Sequence, residues 1–495
     1  MKKNNLEYLF TPQKQSPVAI LLILYKFLTQ MLRNAFPILL IFFFNPNKSF
    51  DGFELLIFIL ISVFSTIFSI AAYYKFEYHI NNDEIIIQKG ILKKVNINVP
   101  FDRIQAINTN QTFLHRIFKV ASLEIDTAGS KNNEIKIDAI RIEKAEIIKN
   151  YILKQKEQIV SEETEKISAV KEEDKVILQL DITSLLKVGM GQNHLRSFAV
   201  IALFFIGLIQ YADIFFEGQK LSDLESLISN TLQSFIFQLV PAAIIATLAL
   251  TLGRTILKYY NLIFKQTAQG YKLVSGLFTR NEKQAAMHKI QLVGWHTNPL
   301  KNLFSMFELN LSQAFSTNMV RSQTMQIPGV YKDQLESVCD SYFPSENRAD
   351  MLTHPVSPRL MIRTFFALAI IPFIMTIVKL TIPDNPIEIW MIIATVLMIS
   401  IYTYTYWKKW NFKIGSEGLL VRRGFIKTSY LLLRWNKIQG IRIRQSIFQK
   451  RRSLSDLHLF TAAGVIRIPY LQEELSSQLK DYILYYVEND DGPWI

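Results

Sequence analysis

The chain has 495 residues, 49% of them hydrophobic, and carries 55 Lys and Arg against 42 Asp and Glu, a formal charge of +13. That length suits about three or four domains of ~100–200 residues, and the apolar residues fall in runs long enough to cross a bilayer. The single cysteine, Cys339, excludes an internal disulfide and a cysteine-based metal cage.

Lys2 and Lys3 lead into a polar stretch to Pro17, and no small-x-small pattern ends the apolar run that follows, so no cleavable signal peptide is expected. Val18 to Phe44 is apolar but interrupted by Lys26, Arg33 and Pro37. Its second half reads as the first span, with Arg33 reaching back to the near interface. An in-plane helix over Val18–Leu32 is the alternative. Phe53 to Tyr74 is an uninterrupted span of about the ~20 residues a bilayer needs, which completes a transmembrane hairpin over residues 17–74.

Residues 75–154 read as a β domain. Val95-Asn96-Ile97-Asn98-Val99 alternates apolar and polar as a half-buried strand does, and Glu84 to Ile87 and Glu134 to Ile137 look similar. Asn81-Asn82-Asp83 and Gly129-Ser130 supply turn chemistry. A helix over Glu143–Lys154 closes the domain, with Ala145, Ile148 and Ile152 on one face.

Residues 155–193 are expected to be a charged linker, dominated by Glu and Lys, with a juxtamembrane segment from Asp181 to His194. Two further rounds follow the same plan. A second hairpin over 194–259, from Ser197–Phe216 and Leu232–Leu252, precedes a second β domain over 260–344 that closes on Tyr331–Tyr342. A third hairpin over 355–407, from Thr364–Val378 and Ile387–Trp407, precedes a strongly basic third domain over 408–488 that closes on Glu473–Val487. The expected fold class is a polytopic α-helical membrane protein, six spans as three hairpins, with three β domains each built of an antiparallel sheet and a C-terminal helix.

Basic residues near span ends set the orientation. The hairpin turns carry only Lys48, Lys220 and Lys379, matched or outnumbered by acids such as Asp51, Glu54, Asp223, Glu225 and Asp384. The opposite ends carry Lys75, Arg196, Arg254, Lys258, Arg359, Arg363, Lys408 and Lys409. Both termini and all three β domains are therefore expected in the cytoplasm.

An internal repeat underlies the plan. Phe101-Asp102-Arg103-Ile104-Gln105-Ala106-Ile107, Met287-His288-Lys289-Ile290-Gln291-Leu292-Val293 and Trp435-Asn436-Lys437-Ile438-Gln439-Gly440-Ile441 share a central Ile-Gln. Fourteen residues before each central Ile stands Gly90, Gly276 or Gly424, and 31 before stands Tyr73, Tyr259 or Trp407. Nineteen residues after it stands Leu123, Leu309 or Leu457. Copies 186 and 148 residues apart are domains, not solenoid units. Ile104, Ile290 and Ile438 are expected in the cores, with Gln105, Gln291 and Gln439 bonded to backbone.

Paired spans followed by a small β domain with a closing helix, repeated, resemble the bacterial pleckstrin-homology-like (PH-like) membrane proteins of the YdbS/YdbT type. The Ile-Gln cores carry the resemblance, and the second copy adds Asn298-Pro299-Leu300, Leu303-Phe304 and Leu309. The first copy departs at Phe113, where the family pattern has proline, and the third at Ile447 and at Arg451-Arg452. The resemblance implies a seven-stranded bent sheet capped by a helix in each domain and no established enzymatic activity.

No catalytic constellation stands in the chain, so no enzyme, cofactor or metal is expected. The seven histidines are scattered, whereas metal binding needs clustered ligands. Gly189-Met190-Gly191 lacks the Lys-Ser/Thr of a phosphate loop. The span centres contain no Asp, Glu, Lys or Arg, which disfavours an ion-coupled carrier. One feature exceeds orientation bias. Between Lys408 and Arg452 stand thirteen Lys or Arg and one acid, Glu417. Arg422, Arg423, Arg434, Lys437, Arg442, Arg444, Lys450, Arg451 and Arg452 are the candidate surface for anionic lipid headgroups or a partner protein. The expected function is non-enzymatic binding of lipid headgroups or partners through the β domains, and the resemblance implies a role in envelope integrity or tolerance of membrane-active peptides. The partners expected are membrane lipids and another membrane protein or a second copy, and not nucleic acid. The alternative is a transporter or flippase for lipids or peptides.

Overall fold

A computed structural model of the chain describes residues 7–43, 52–81, 83–127, 135–161, 175–194, 197–199, 201, 241–313, 324–382 and 386–489. The chain divides into two compact units, one of Met1–Glu172, Leu180–Ile263 and Leu273–Gln284, the other of Glu173–Gln179, Phe264–Lys272 and Ala285–Ile495.

The first repeat begins ahead of its two apolar helices. β1 (Gln13–Lys14) leads into α1 (Val18–Phe43), one continuous helix through Lys26, Arg33 and Pro37. The second half, expected as the first span, continues without a break from first turns that pack on the β domain. Ala19 and Leu22 are buried against Val120 and Ala139 of the β domain, and the Lys26 ammonium reaches the Asp138 carboxylate at 2.5 Å. The start of the apolar run thus belongs to the β domain, which neutralises its charge. After α2 (Gly52–Tyr74) come β2 (Glu77–Asn81), β3 (Glu84–Lys89) and β4 (Val95–Pro100), which form a four-stranded sheet in the order β1-β2-β3-β4.

A three-residue 3-10 turn, Phe101–Arg103, then swings the chain into a second sheet. It holds β5 (Ile104–Gln111), β6 (Val120–Thr127) and β7 (Ile135–Arg141), with α3 (Phe113–Ile117) between β5 and β6. The closing helix α4 (Ile142–Ser161) runs beyond its expected end. Ile85, Ile87, Ile107, Leu123 and Ile125 from both sheets meet Ala145, Ile148 and Ile152 of α4 in one core. Each of the buried Ile and Leu side chains contributes about 1.5–3 kcal/mol of burial free energy.

The second repeat has the same order: β8 (Lys175–Gln179), α5 (Ile182–Met190), α6 (Pro241–Tyr259), β9 (Ile263–Thr267), β10 (Gly270–Ser275), β11 (Arg280–Ala286), β12 (Ile290–Thr297), α7 (Pro299–Leu303), β13 (Met306–Gln313), β14 (Met325–Tyr331) and α8 (Lys332–Tyr342). The third comprises β15 (Leu352–Pro355), α9 (Arg359–Thr381), α10 (Ile389–Lys409), β16 (Asn411–Ile414), β17 (Gly418–Gly424), β18 (Thr428–Arg434), β19 (Ile438–Arg444), α11 (Ile447–Lys450), β20 (Leu454–Thr461), β21 (Gly464–Gln472) and α12 (Glu473–Glu488). β15 pairs with β16 across α9 and α10, Leu352 facing Ile414, as β1 pairs with β2 across α1 and α2. The expected linker over 155–193 therefore includes a strand, β8, in the place that β1 and β15 hold.

The seven strands of each domain divide between two sheets, four going to one and three to the other. In the second unit, seven strands do join, but across two repeats, in the order β14-β13-β12-β18-β17-β16-β15. The joint is the antiparallel pair β12–β18, Val293 facing Leu432 through Thr297 facing Thr428. The first unit holds the equivalent pair β5–β11, where Gln111 faces Arg280 and Thr109 faces Glu282.

Among the described residues, α6, α9 and α10 are long and apolar enough to cross a membrane, and α1 and α2 contain the shorter apolar stretches Val18–Gln30 and Leu60–Tyr74. The side chains of Phe64, Phe366, Leu397 and Met398 on these helices are exposed, as suits contact with lipid tails. The expected span Ser197–Phe216 falls almost wholly outside the described residues, as do the turns near Asn47 and Asp223.

Candidate functional site

The repeat markers acquire physical meaning here. Gly90, Gly276 and Gly424 sit at φ of +110°, +115° and +136°, and a Cβ at each would collide with the carbonyl oxygen of Lys93, Thr279 or Lys427. Only glycine fits these turns. Ile104, Ile290 and Ile438 are 2%, 0% and 3% exposed at the start of β5, β12 and β19. The glutamines share no role. Gln439 is exposed, and Gln291 is buried with neither side-chain nitrogen nor oxygen hydrogen-bonded to a described residue. The expected amide-to-backbone bond is thus not a common feature; the side chain of Gln105 lies outside the described set.

The short helix after each of these strands forms a projecting tip, and in the third repeat it carries the basic cluster. Ser446 caps α11 by accepting from the Gln449 amide, and the Gln449 side chain returns to the Ser446 amide. Gln449 is the residue of α11 that turns inward. Its Nε2 donates to Asp456 Oδ1 at 2.7 Å, and Asp456 also accepts from Arg467 at 2.5 Å and from the Tyr470 backbone at 3.0 Å. With Gln449 anchored, Ile447 (73% exposed), Phe448 (79%), Lys450, Arg451 and Arg452 are left outside.

The same plan serves the other repeats. Asn298 caps α7, and Lys301 turns inward to Glu308 Oε2 at 2.5 Å, which His296 also meets at 3.2 Å, leaving Leu300 and Leu303 exposed. Burial pushes the Glu308 carboxyl up, but His296 and Lys301 outweigh it and hold the group well below the usual carboxylate range. Thr112 caps α3, and His115 turns inward, leaving Phe113, Ile117 and Phe118 exposed. Burial pushes the His115 imidazole down, with Asp138 opposing. His115, Lys301 and Gln449 each stand eleven places after the central Ile. That offset is the signal sequence reading passed over, because His, Lys and Gln share no side-chain chemistry.

The nine predicted basic residues divide into two sets. Arg442 and Arg444 project from β19, opposite His458 and Asp456, and the chain continues into Lys450, Arg451 and Arg452. Arg442 also lies over the Phe460 ring at 5.3 Å. The others sit nearer the β12–β18 joint. Arg422 is half-buried over the Tyr430 ring, which stacks on Trp295 at 5.3 Å. Arg434 lies 3.9 Å from Glu417, and Lys437 donates to the His288 carbonyl at 3.0 Å. Arg423 is exposed.

The third domain is tied tightly to its spans. Trp407 Nε1 donates to the Val356 carbonyl at 2.9 Å, Lys409 donates to the Phe425 carbonyl, and Phe425 packs edge-on against Tyr402 of α10. Ser357, just before α9, donates its backbone N–H to the Tyr470 carbonyl at 3.3 Å.

Three repeats of two small antiparallel sheets and a closing helix, joined to apolar helices, define a membrane protein with PH-like domains. The bacterial PH domain family model matches residues 21–156, 224–344 and 365–487, and the chain belongs to that family. It is similar to the UPF0699 transmembrane protein YdbT of Bacillus subtilis (strain 168), 22% identical over 479 residues and covering 94% of each chain.

Proposed function

We propose that this is a six-span, non-enzymatic protein of the bacterial plasma membrane whose cytoplasmic third domain holds anionic lipid headgroups at the basic end of α11. The observation that carries this reading is the tip itself. Exposed Phe448 adjoins exposed Lys450, Arg451 and Arg452, on a domain whose β17–β18 turn is bonded to the end of α10. Apolar residues beside cations are the composition of a surface that rests in the headgroup layer. Arg442 and Arg444 extend the positive surface along β19. The charge asymmetry across the hairpins supports the cytoplasmic orientation, and the role implied in envelope integrity rests on it.

Three basic residues at an anionic leaflet contribute about 3 kcal/mol at ~1 kcal/mol each. The test uses the full chain in nanodiscs of mixed neutral lipid and phosphatidylglycerol, with native mass spectrometry of the lipid retained. Wild type should hold phosphatidylglycerol, and Lys450→Gln/Arg451→Gln/Arg452→Gln should lose most of it. Salt at 1 M, where the Debye length is ~3 Å, should do the same. Retention unchanged in the variant and at high salt refutes the reading.

A further inference from the structure

The two joints between repeats follow one rule of register. In β5–β11 and in β12–β18, the residue n places after the central Ile of one domain faces the residue n + 3 places before the central Ile of the next. Gln111 facing Arg280 and Val293 facing Leu432 both obey it. A chain of three domains then leaves one strand of each kind over. β19 is the counterpart of β5 and β12, and β4 is the counterpart of β11 and β18. Both stand at the ends of their sheets. The remaining sheet ends are β1, β8 and β15 on one side and β7, β14 and β21 on the other, and these are ends in all three repeats. Among the described strands, only β4 and β19 are edges whose counterparts are paired.

From this we infer that β19 of one copy pairs antiparallel with β4 of a second copy, in the register of the internal joints. Ile441 then faces Asn98, Arg442 faces Ile97, Ile443 faces Asn96 and Arg444 faces Val95. Asn96 and Asn98 are exposed on β4, and Arg442 and Arg444 are exposed on β19. Polar residues at the β4 positions suit the joint. Glu282 and Gln284 hold the matching places on β11, where Glu282 ion-pairs with Lys149 at 2.5 Å and the Gln284 backbone N–H donates to Asn108 Oδ1 at 3.4 Å.

The first joint also carries a side-chain contact. In the first joint, Phe113 packs edge-on against Phe278 with ring centroids 5.4 Å apart. Ile447 holds the place of Phe113, nine after the central Ile, and Leu92 holds the place of Phe278, twelve before it. Ile447 is 73% exposed and Leu92 is 98% exposed. Both belong to a contact that one copy leaves unmade.

An open strand edge is a template for pairing with another chain, and proteins generally blunt it with a bulge, a proline or a cover. Here the edge is kept, and the pairing partner with the right register is the protein itself. The two patches differ, so the contact is head-to-tail and generates a ring or a row of copies in the membrane plane. Each repeat carries its own spans, so a joint that serves within a chain also serves between chains in one bilayer.

The test is disulfide trapping in native membranes. Two differently tagged full-length chains are coexpressed, one with Asn96→Cys and the other with Ile443→Cys, and mildly oxidised. Cys339 stays in place because it is buried. A dimer carrying both tags should form in several-fold excess over the off-register pair Glu84→Cys with Ile443→Cys. Independently, Asn96→Lys/Asn98→Lys, at exposed positions, should shift the purified protein from an oligomer to a monomer in mild detergent without lowering its Tm. Overturning results are a mixed-tag dimer no more abundant than the control, or a lysine variant of unchanged size.

Discussion

Glu308→Leu isolates what the buried polar cluster beneath α7 contributes. The side chains of Lys301, Glu308 and His296 are only 7%, 14% and 11% exposed, so water does little to compensate a lost partner. Lys427 also faces the site; burial pushes its ammonium down, and Glu308 opposes that shift. Removing the carboxylate leaves two ammonium groups near one another in a half-dry pocket. Breaking a buried pair in this way costs about 3–5 kcal/mol, whereas replacing both partners by apolar groups of similar size is often neutral. Glu308→Leu should therefore destabilise strongly, and Glu308→Leu/Lys301→Met should recover most of the loss. The assay is pulse proteolysis of the full chain in detergent across a urea series. The pH dependence has a fixed sign. The folded-state pKa of Glu308 is depressed, so its stabilisation is present above the unfolded value of ~4.3 and lost as pH falls toward the lower folded value. The gap between wild type and Glu308→Gln should be flat near neutrality and close at acid pH. A single variant within ~0.5 kcal/mol of wild type, the range of ordinary surface changes, would refute the reasoning.

Two further outcomes follow from the same geometry. Ile104→Ala, Ile290→Ala and Ile438→Ala should each cost about 2–5 kcal/mol, since all three side chains are buried. Gln439→Ala, at an exposed position, should stay within ~0.5 kcal/mol by the same proteolysis. For topology, single cysteines at Asn47, Asp223 and Asp384 should label with an impermeant maleimide in intact cells, and cysteines at Gly129 or Gly464 should not. Native Cys339 is silent as a background, because burial pushes its thiol up to about 12. Labelling at Gly464 in intact cells reverses the orientation.

The sequence by itself determined the three repeats and their internal landmarks, because each landmark reports a local constraint. Gly90, Gly276 and Gly424 are glycine because the turn backbone forbids a Cβ, and Leu123, Leu309 and Leu457 are each 0% exposed. The closing helices and the basic run from Lys408 to Arg452 were legible for the same reason, being patterns of adjacent residues. Other features depended on tertiary structure. β1 is two residues long, too short for any periodicity, so a strand ahead of the spans has no local mark. The first turns of α1 carry no local sign of where they pack, because Lys26 finds Asp138 only when the chain has folded back on them. The joints are the clearest case. Asn110 faces Asn281 in one and Trp295 faces Tyr430 in the other. Their common element is the backbone ladder, which any side chain can accompany. Sequence pattern therefore identifies the domains, and the fold decides which of their edges meet.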